Sequence, residues 1–147
     1  MTEQQSYRLP GDAEWSVAVG LENEVGNSPE DKDAKIKGVY PWGEQWPPPI
    51  GAGNYGKSLN VDEYDYTSPV GSFKANKYGL YDIGGNVWQW CEKFYDGQSG
   101  PRVLRGGSWY DFGIPAGLLS SYRNNDAPDD RRNFVGFRCV LVGAFVW

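Results

Sequence analysis

Histidine is absent from all 147 residues of the chain. That excludes a histidine general base, a Ser-His-Asp triad, a zinc site of the common kinds and a facial-triad iron centre built from this chain alone. Cysteine is scarce: Cys91 and Cys139 are the two present, too few for a disulfide framework and at a spacing that matches no Cys-x-x-Cys knuckle. We read them as two small buried hydrophobes in preference to a disulfide. No apolar run approaches the ~20 residues that span a bilayer, and residues 1–10 have neither the basic start nor the apolar centre of a secretion signal. The chain is therefore expected in the cytoplasm by default, unless it is exported as part of a larger assembly. An excess of basic residues is missing too. A net charge of −5 leaves no electrostatic footprint for nucleic acid and disfavours an anionic membrane surface.

What the chain does have is turn chemistry. Twenty glycines, ten prolines and 16% aromatic residues in a length that suits one domain predict loops, turns and short strands around a single core. Residues 7–19 place Asp12 just before Ala13, Trp15, Val17 and Ala18, the pattern of a short helix with Asp12 as its N-cap. Residues 20–38 mix Glu22, Glu24, Glu30, Asp31 and Asp33 with Lys32, Lys35 and Lys37 and read as a solvated excursion. Residues 40–52 combine Trp42 and Trp46 with four prolines, so they are expected to pack as an ordered loop. Residues 54–68 are loop chemistry again, and Asp62, Glu63 and Asp65 crowd one another in a way that a bound cation would relieve. Alternating, aromatic-rich stretches at 87–91, 102–109 and 135–142 predict a central sheet. The closing residues 140–147 are apolar enough for a final strand, or for an interface if exposed. Between them, residues 110–134 form a connection far longer than the usual ~4–6 residues, which marks it as functional or disordered.

Six motifs carry a resemblance: Arg8-Leu9-Pro10, Tyr40-Pro41-Trp42-Gly43, Pro69-Val70-Gly71-Ser72-Phe73, the run from Gly79 through Gly84-Gly85-Asn86 to Trp90, Arg102 through Gly106-Gly107-Ser108-Trp109, and Val135-Gly136-Phe137-Arg138-Cys139. In this order the chain resembles the formylglycine-generating enzyme (sulfatase-modifying factor) family. The resemblance implies a C-type-lectin-like α+β fold, loop-rich, with short antiparallel strands and one or two short helices, in one domain over residues 1–147 that lacks the N-terminal part of the family domain. In catalytic members two cysteines after the Gly-Gly-Ser-aromatic motif bind copper and oxidise a client cysteine, because Cu(I) needs soft ligands. Those positions fall here on Asp111 and Ala116, so neither copper nor iron is expected and the chain is read as a non-enzyme.

Calcium transfers better, since its sites need only loop oxygens. The family's first site resembles the side chains of Asn54 and Asp62 with the backbone oxygens of Tyr55 and Tyr64. Its second resembles Asp82 and Gln89 with the backbone oxygens of Gly85 and Val87, and Gln89 stands where the family has a charged glutamate.

The chain also resembles the variable proteins of diversity-generating retroelements, which display ligand-binding residues on this fold. Adenine-directed mutagenesis of asparagine codons yields a limited residue set, to which Tyr110, Asp111, Phe112, Gly113, Ile114, Ala116, Gly117, Tyr122, Asn124, Asn125, Asp126 and Asn133 belong. Aromatics beside small polar residues suit a binding surface for a protein or glycan. A solvated loop with Arg123, Arg131 and Arg132 paired locally to Asp126, Asp129 and Asp130 is the plainer alternative. Two other functions are weighed against the binding domain: a copper-dependent oxidase relying on Cys91 or Cys139, and a regulatory module partnered with a signalling protein.

Overall fold

The structure, a computed structural model, describes residues 5–111 and 113–143. Along the chain run β1 (Ser6–Arg8), α1 (Asp12–Val19), α2 (Pro29–Lys32), a 3-10 turn at Lys57–Leu59, β2 (Trp88–Phe94), β3 (Arg102–Arg105), a second 3-10 turn at Pro115–Leu118, β4 (Asn124–Asp126), β5 (Val135–Gly136) and β6 (Val140–Val142). The loop-rich α+β expectation holds. Strands in the order β4-β3-β2-β5 form the central sheet, while β1 and β6 pair antiparallel in a separate ribbon. Two details are corrected. Val140–Val142 does not join the central sheet, because Arg138 turns back onto Gln89 and ends the pairing after two residues of β5. In addition, β5 lies parallel to β2, with Val135 opposite Trp88.

Helix α1 begins as the pattern predicts, but Asp12 is not its cap. Gly11 takes the N-cap position in an extended conformation, and Glu14, clamped by both terminal nitrogens of Arg8 at 2.6 Å, accepts the Gly11 N–H at 2.7 Å. The cap needs no side chain of its own because Glu14 supplies the bond from three residues on. Asp12 is thereby free to turn inward, where it is 3% exposed. Its Oδ1 accepts Arg105 Nη1 at 2.5 Å and its Oδ2 accepts Arg123 Nη2 at 2.9 Å. Glu24 completes the set, meeting Arg123 at 2.6 and 2.8 Å. Two guanidiniums with fully buried side chains thus meet two carboxylates, and Arg105 also donates to Ser120 O at 2.8 Å. Its guanidinium lies over the Trp15 ring, 4.4 Å from the centroid.

The excursion at 20–38 is correspondingly not all solvated. Glu24 reaches Arg123, and Asp33 accepts the Arg123 backbone N–H at 2.7 Å and the Tyr95 hydroxyl at 3.0 Å. Between them, α2 is nucleated by a reciprocal cap, Ser28 Oγ accepting from Asp31 N and Asp31 Oδ2 from Ser28 N, with Pro29 preset in the first turn.

Two apolar clusters flank this charged centre. One is built on Trp15, Ile83, Cys91 and Val103, the other on Tyr40, Tyr55, Val61, Leu118 and Leu119. Trp42 and Trp46 pack against the second, and Trp42 stacks on Tyr40 with centroids 4.9 Å apart, so the proline-rich segment is ordered as expected. The Tyr55 ring lies in a bed of glycines. A Cβ on Gly53 would come 2.8 Å from the ring, one on Gly84 2.7 Å from its hydroxyl, and one on Gly85, at φ +79°, 2.7 Å from Asn54 O. Cys91 is fully buried as predicted, whereas Cys139 is exposed just past β5, and both are free thiols.

Burial alone would push the Asp12 and Glu24 carboxyls up, but Arg105 and Arg123 outweigh it and hold both below their ordinary 3.8 and 4.5. Each releases its proton more readily folded than unfolded. Their stabilisation is therefore whole above those ordinary values and is lost as pH falls through the folded ones. Removing one partner of such a set leaves a buried charge unmatched, so Asp12→Ala is expected to cost about 3–5 kcal/mol at neutral pH. Urea unfolding would read this, with a smaller further loss than wild type on acidification to about pH 3; a cost below about 1 kcal/mol would mean that solvent reaches the arginines.

Candidate functional site

Strand β3 ends in Gly106-Gly107, and Gly107, at φ +76°, lets the chain turn where a Cβ would lie 2.9 Å from Leu118. The turn delivers a fully buried Ser108 and then Trp109, whose N–H donates to Asn86 O at 3.0 Å. Asp111 closes it: its Oδ2 accepts Ser108 N–H at 2.7 Å and the Ser108 hydroxyl at 2.6 Å, and its carbonyl accepts Gly56 N–H at 3.1 Å. At Asp111, where the resemblance implies the first copper ligand, the carboxylate thus closes the turn on Ser108 and the backbone carbonyl holds the loop to Gly56. Burial pushes the carboxyl's pKa up, more than the hydrogen bonds of Ser108 and Trp88 pull it down. Ala116, where the resemblance implies the second ligand, is an exposed methyl on the Pro115–Leu118 turn.

Around this turn runs an arc of aromatic rings. Tyr66 meets Trp109 edge-on at 5.1 Å, Trp109 meets Tyr110 edge-on at 5.5 Å, and Tyr110 stacks on Phe134 at 5.0 Å. Trp109 Nε1 donates to Asn133 O at 3.3 Å, tying the two ends of the long connection together. Tyr66 is 65% and Tyr110 48% exposed. The arc therefore presents aromatic surface drawn from three separate loops.

The twelve positions predicted for a variable face are not brought together as one surface. Tyr110 and Asn133 belong to the arc, Ile114 and Ala116 are exposed beside it on the same loop, and Gly113 and Gly117 are half-buried there. Phe112 lies outside the described residues. Tyr122 turns inward, packs with the Tyr40–Tyr55 cluster and lies 6.0 Å from Trp88. Asn124, Asn125 and Asp126 form β4, which places Asp126 opposite Arg102 at the start of β3, whereas Tyr110 lies beyond its end. The intervening Leu118, Leu119, Ser120, Ser121 and Arg123 are buried. The long connection is thus two surface pieces on either side of a core segment. Of the local pairing alternative, Arg132 does bridge Asp126 and Asp130, while Arg123 is drawn instead to Asp12 and Glu24. The sequence did not mark Tyr66, Trp109 and Phe134, because Tyr66 sits in the loop read as a metal site, Trp109 in a framework motif and Phe134 one residue past the last position read as variable; an aromatic within a polar turn segment, as at Tyr66, is the signal that was there.

The two calcium sets fare differently. In the first, Asp62 accepts the backbone N–H groups of Tyr55 and Tyr64 at 3.0 and 2.9 Å, and Asn54 is 1% exposed with its Oδ1 buried and without a hydrogen-bond partner. An orphaned buried oxygen beside a carboxylate loop fits a cation that takes oxygen ligands. In the second, Gln89 Oε1 already accepts Trp15 Nε1 at 2.9 Å and Arg138 Nε at 2.6 Å, and Asp82 Oδ2 accepts Gly71 N–H at 2.7 Å. That set does not fit a metal. Among the described residues no three or more acidic, cysteine or histidine side chains are grouped to hold one.

This fold, with its glycine turn at the end of β3 and its loop-borne site, is that of a known family. Residues 2–142 match the sulfatase-modifying factor enzyme 1-like domain, and the chain belongs to that family. It is 34% identical over 145 residues to the inactive C-alpha-formylglycine-generating enzyme 2 of Mus musculus, covering 90% of this chain and 42% of the relative. It is 32% identical over 150 residues to a serine/threonine-protein kinase of Chlamydia caviae, covering 90% and 21%. Among solved structures, Treponema denticola variable protein 1 aligns with a TM-score of 0.59 at 29% identity, covering 90% of this chain and 46% of that one. The chain spans less than half the length of each. The expected family, its fold and the likeness to a variable protein are borne out. Among the described residues no helix is long and apolar enough to cross a membrane.

Because Asp111 holds its proton more tightly folded than unfolded, its contribution favours the fold below the ordinary 3.8 and is lost as pH rises through the raised value. Asp111→Asn keeps an acceptor for Ser108 and removes the charge. It is expected to raise Tm at pH 7 by roughly 2–4 °C, with the gain shrinking towards pH 4. A lowered Tm at pH 7 would show that the ionised form has a partner worth more than its burial costs.

Proposed function

We propose that this chain is a non-catalytic ligand-binding domain that presents Tyr66, Trp109, Tyr110 and Phe134, with the exposed Ile114, Ala116 and Asn133 beside them, to a protein or glycan. The aromatic arc is the observation that carries the reading. Large rings held by neighbouring rings give contact area with little entropy left to lose on binding. The family's copper oxidation finds no support at the positions the resemblance implies or at the buried thiol. Asp111 is engaged with Ser108, Ala116 has no donor, and the Cys91 thiol, pushed up to about 12 by burial, is not a thiolate at neutral pH. Similarity to a relative called inactive agrees with this reading.

A second reading keeps the same face and makes its partner a signalling protein, which the similarity to a bacterial kinase favours. In either case calcium at Asn54, Asp62 and the carbonyl oxygens of Tyr55 and Tyr64 would tie residues 54–64 beneath Tyr66 as a structural ion, consistent with the orphaned Asn54 Oδ1.

Screening the chain on glycan arrays and on a panel of surface and signalling proteins, beside a Tyr66→Ala/Tyr110→Ala double variant, tests the face. Every genuine hit is expected to weaken by at least tenfold in the variant, since a central aromatic anchor is worth ~2 kcal/mol, while Tm stays within about 3 °C. Hits that survive unchanged would place binding elsewhere. For the ion, chelation is expected to lower the Tm of wild type and to leave Asp62→Asn unmoved, because only a ligand bound to the native state adds to its stability. Equal shifts in both would remove calcium from this site.

A further inference from the structure

Gln89 sits at the centre of the molecule, 3% exposed, and every hydrogen-bonding position of its amide is taken. Its Oε1 accepts from Trp15 and Arg138, and its Nε2 donates to Asp82 O at 3.0 Å and Ile83 O at 3.2 Å. Arg138 goes further: besides Gln89 Oε1, its Nη2 reaches Tyr81 O and Asp82 O, both at 2.9 Å. Its guanidinium is thus held by three neutral oxygens, the kind of donor set that a hard cation takes.

We infer that the Arg138 guanidinium fastens residues 79–89 through Gln89 Oε1 and the carbonyls of Tyr81 and Asp82, and that with the Gln89 oxygen so engaged this position takes no calcium. Two physical reasons support it. Calcium needs its oxygens at about 2.4 Å with lone pairs to spare, whereas Gln89 Oε1 has spent both on N–H donors. A divalent ion there would also sit beside a half-buried guanidinium, three positive charges against the Asp82 carboxylate that acts on Arg138, where the reduced dielectric makes that repulsion expensive. The glutamine suits the arginine. A neutral amide supplies one acceptor to Arg138 and two donors to the Asp82 and Ile83 carbonyls, which a carboxylate could not do.

This inference is independent of what the aromatic face binds, and its test is separate from that of the Asn54–Asp62 set. The chelator-stripped 147-residue chain and its Asp82→Asn variant are titrated with calcium and the bound ions counted by native mass spectrometry. The same count in both is expected; one ion fewer in Asp82→Asn overturns the proposal. In wild type alone, which needs no variant to fold, the Arg138 Nε–H NMR signal is expected to exchange slowly and to stay in place between chelator and millimolar calcium. A signal that shifts or begins to exchange on adding calcium overturns it as well.

Discussion

The pairing of Asp12 and Glu24 with Arg105 and Arg123 is the contact on which the rest of this fold depends. Those four residues come from the start of α1, the excursion after it, the end of β3 and the edge of β4. Among the described residues few strand or helix ladders are available to bring such segments together, because the longest strand there has seven residues and the longest helix eight. A matched set of buried charges does so with directional bonds. Its desolvation is a cost that hydrophobic residues would not incur, but greasy contacts would not fix which loop meets which. The charges balance and nearly all polar atoms find partners; Arg105 Nε is an exception.

Those parts of the fold that depend on neighbours along the chain were legible in the sequence. Alternation at Trp88–Cys91 and Arg102–Arg105 announced the two central strands, and the tryptophans among prolines announced a packed loop. What failed were inferences about distant partners. An aspartate before an apolar run reads as a cap, and nothing local says that Arg105 and Arg123, roughly a hundred residues on, will claim it. Glu24 and Asp33 look like any solvated acid for the same reason. The segment from Leu118 to Arg123 shows no periodicity because it is enclosed from several sides, Leu118, Leu119 and Tyr122 by the Tyr40–Tyr55 cluster, Ser121 by Ile36 and Arg123 by Asp12 and Glu24, so it was absorbed into the loop on either side of it.

The candidate site was legible in its framework and not in its surface. Gly106-Gly107-Ser108 fixed the turn, and Asp111 and Ala116 stand where the resemblance implies thiolates. The arc itself comes from three loops, and one-dimensional spacing carries no information about Tyr66 meeting Trp109. Both places where the family would employ a metal through residues that differ here share one physical theme. At Asp111 a carboxylate closes a turn through Ser108, and at Gln89 an amide gathers an arginine and a tryptophan. In each, fixed hydrogen bonds occupy the coordination space.

The ribbon of β1 and β6 sets how the molecule answers to load. Ser6 faces Val142 and Arg8 faces Val140, so the two strands leave the body from the same end, side by side. Pulling them apart acts along their hydrogen bonds, which run across an antiparallel pair, and opens them one at a time as a zipper instead of shearing them together. The ribbon would yield at low force while the central sheet, which neither strand enters, stays unstressed. Separation of the two strands would then come before any strain on the aromatic arc.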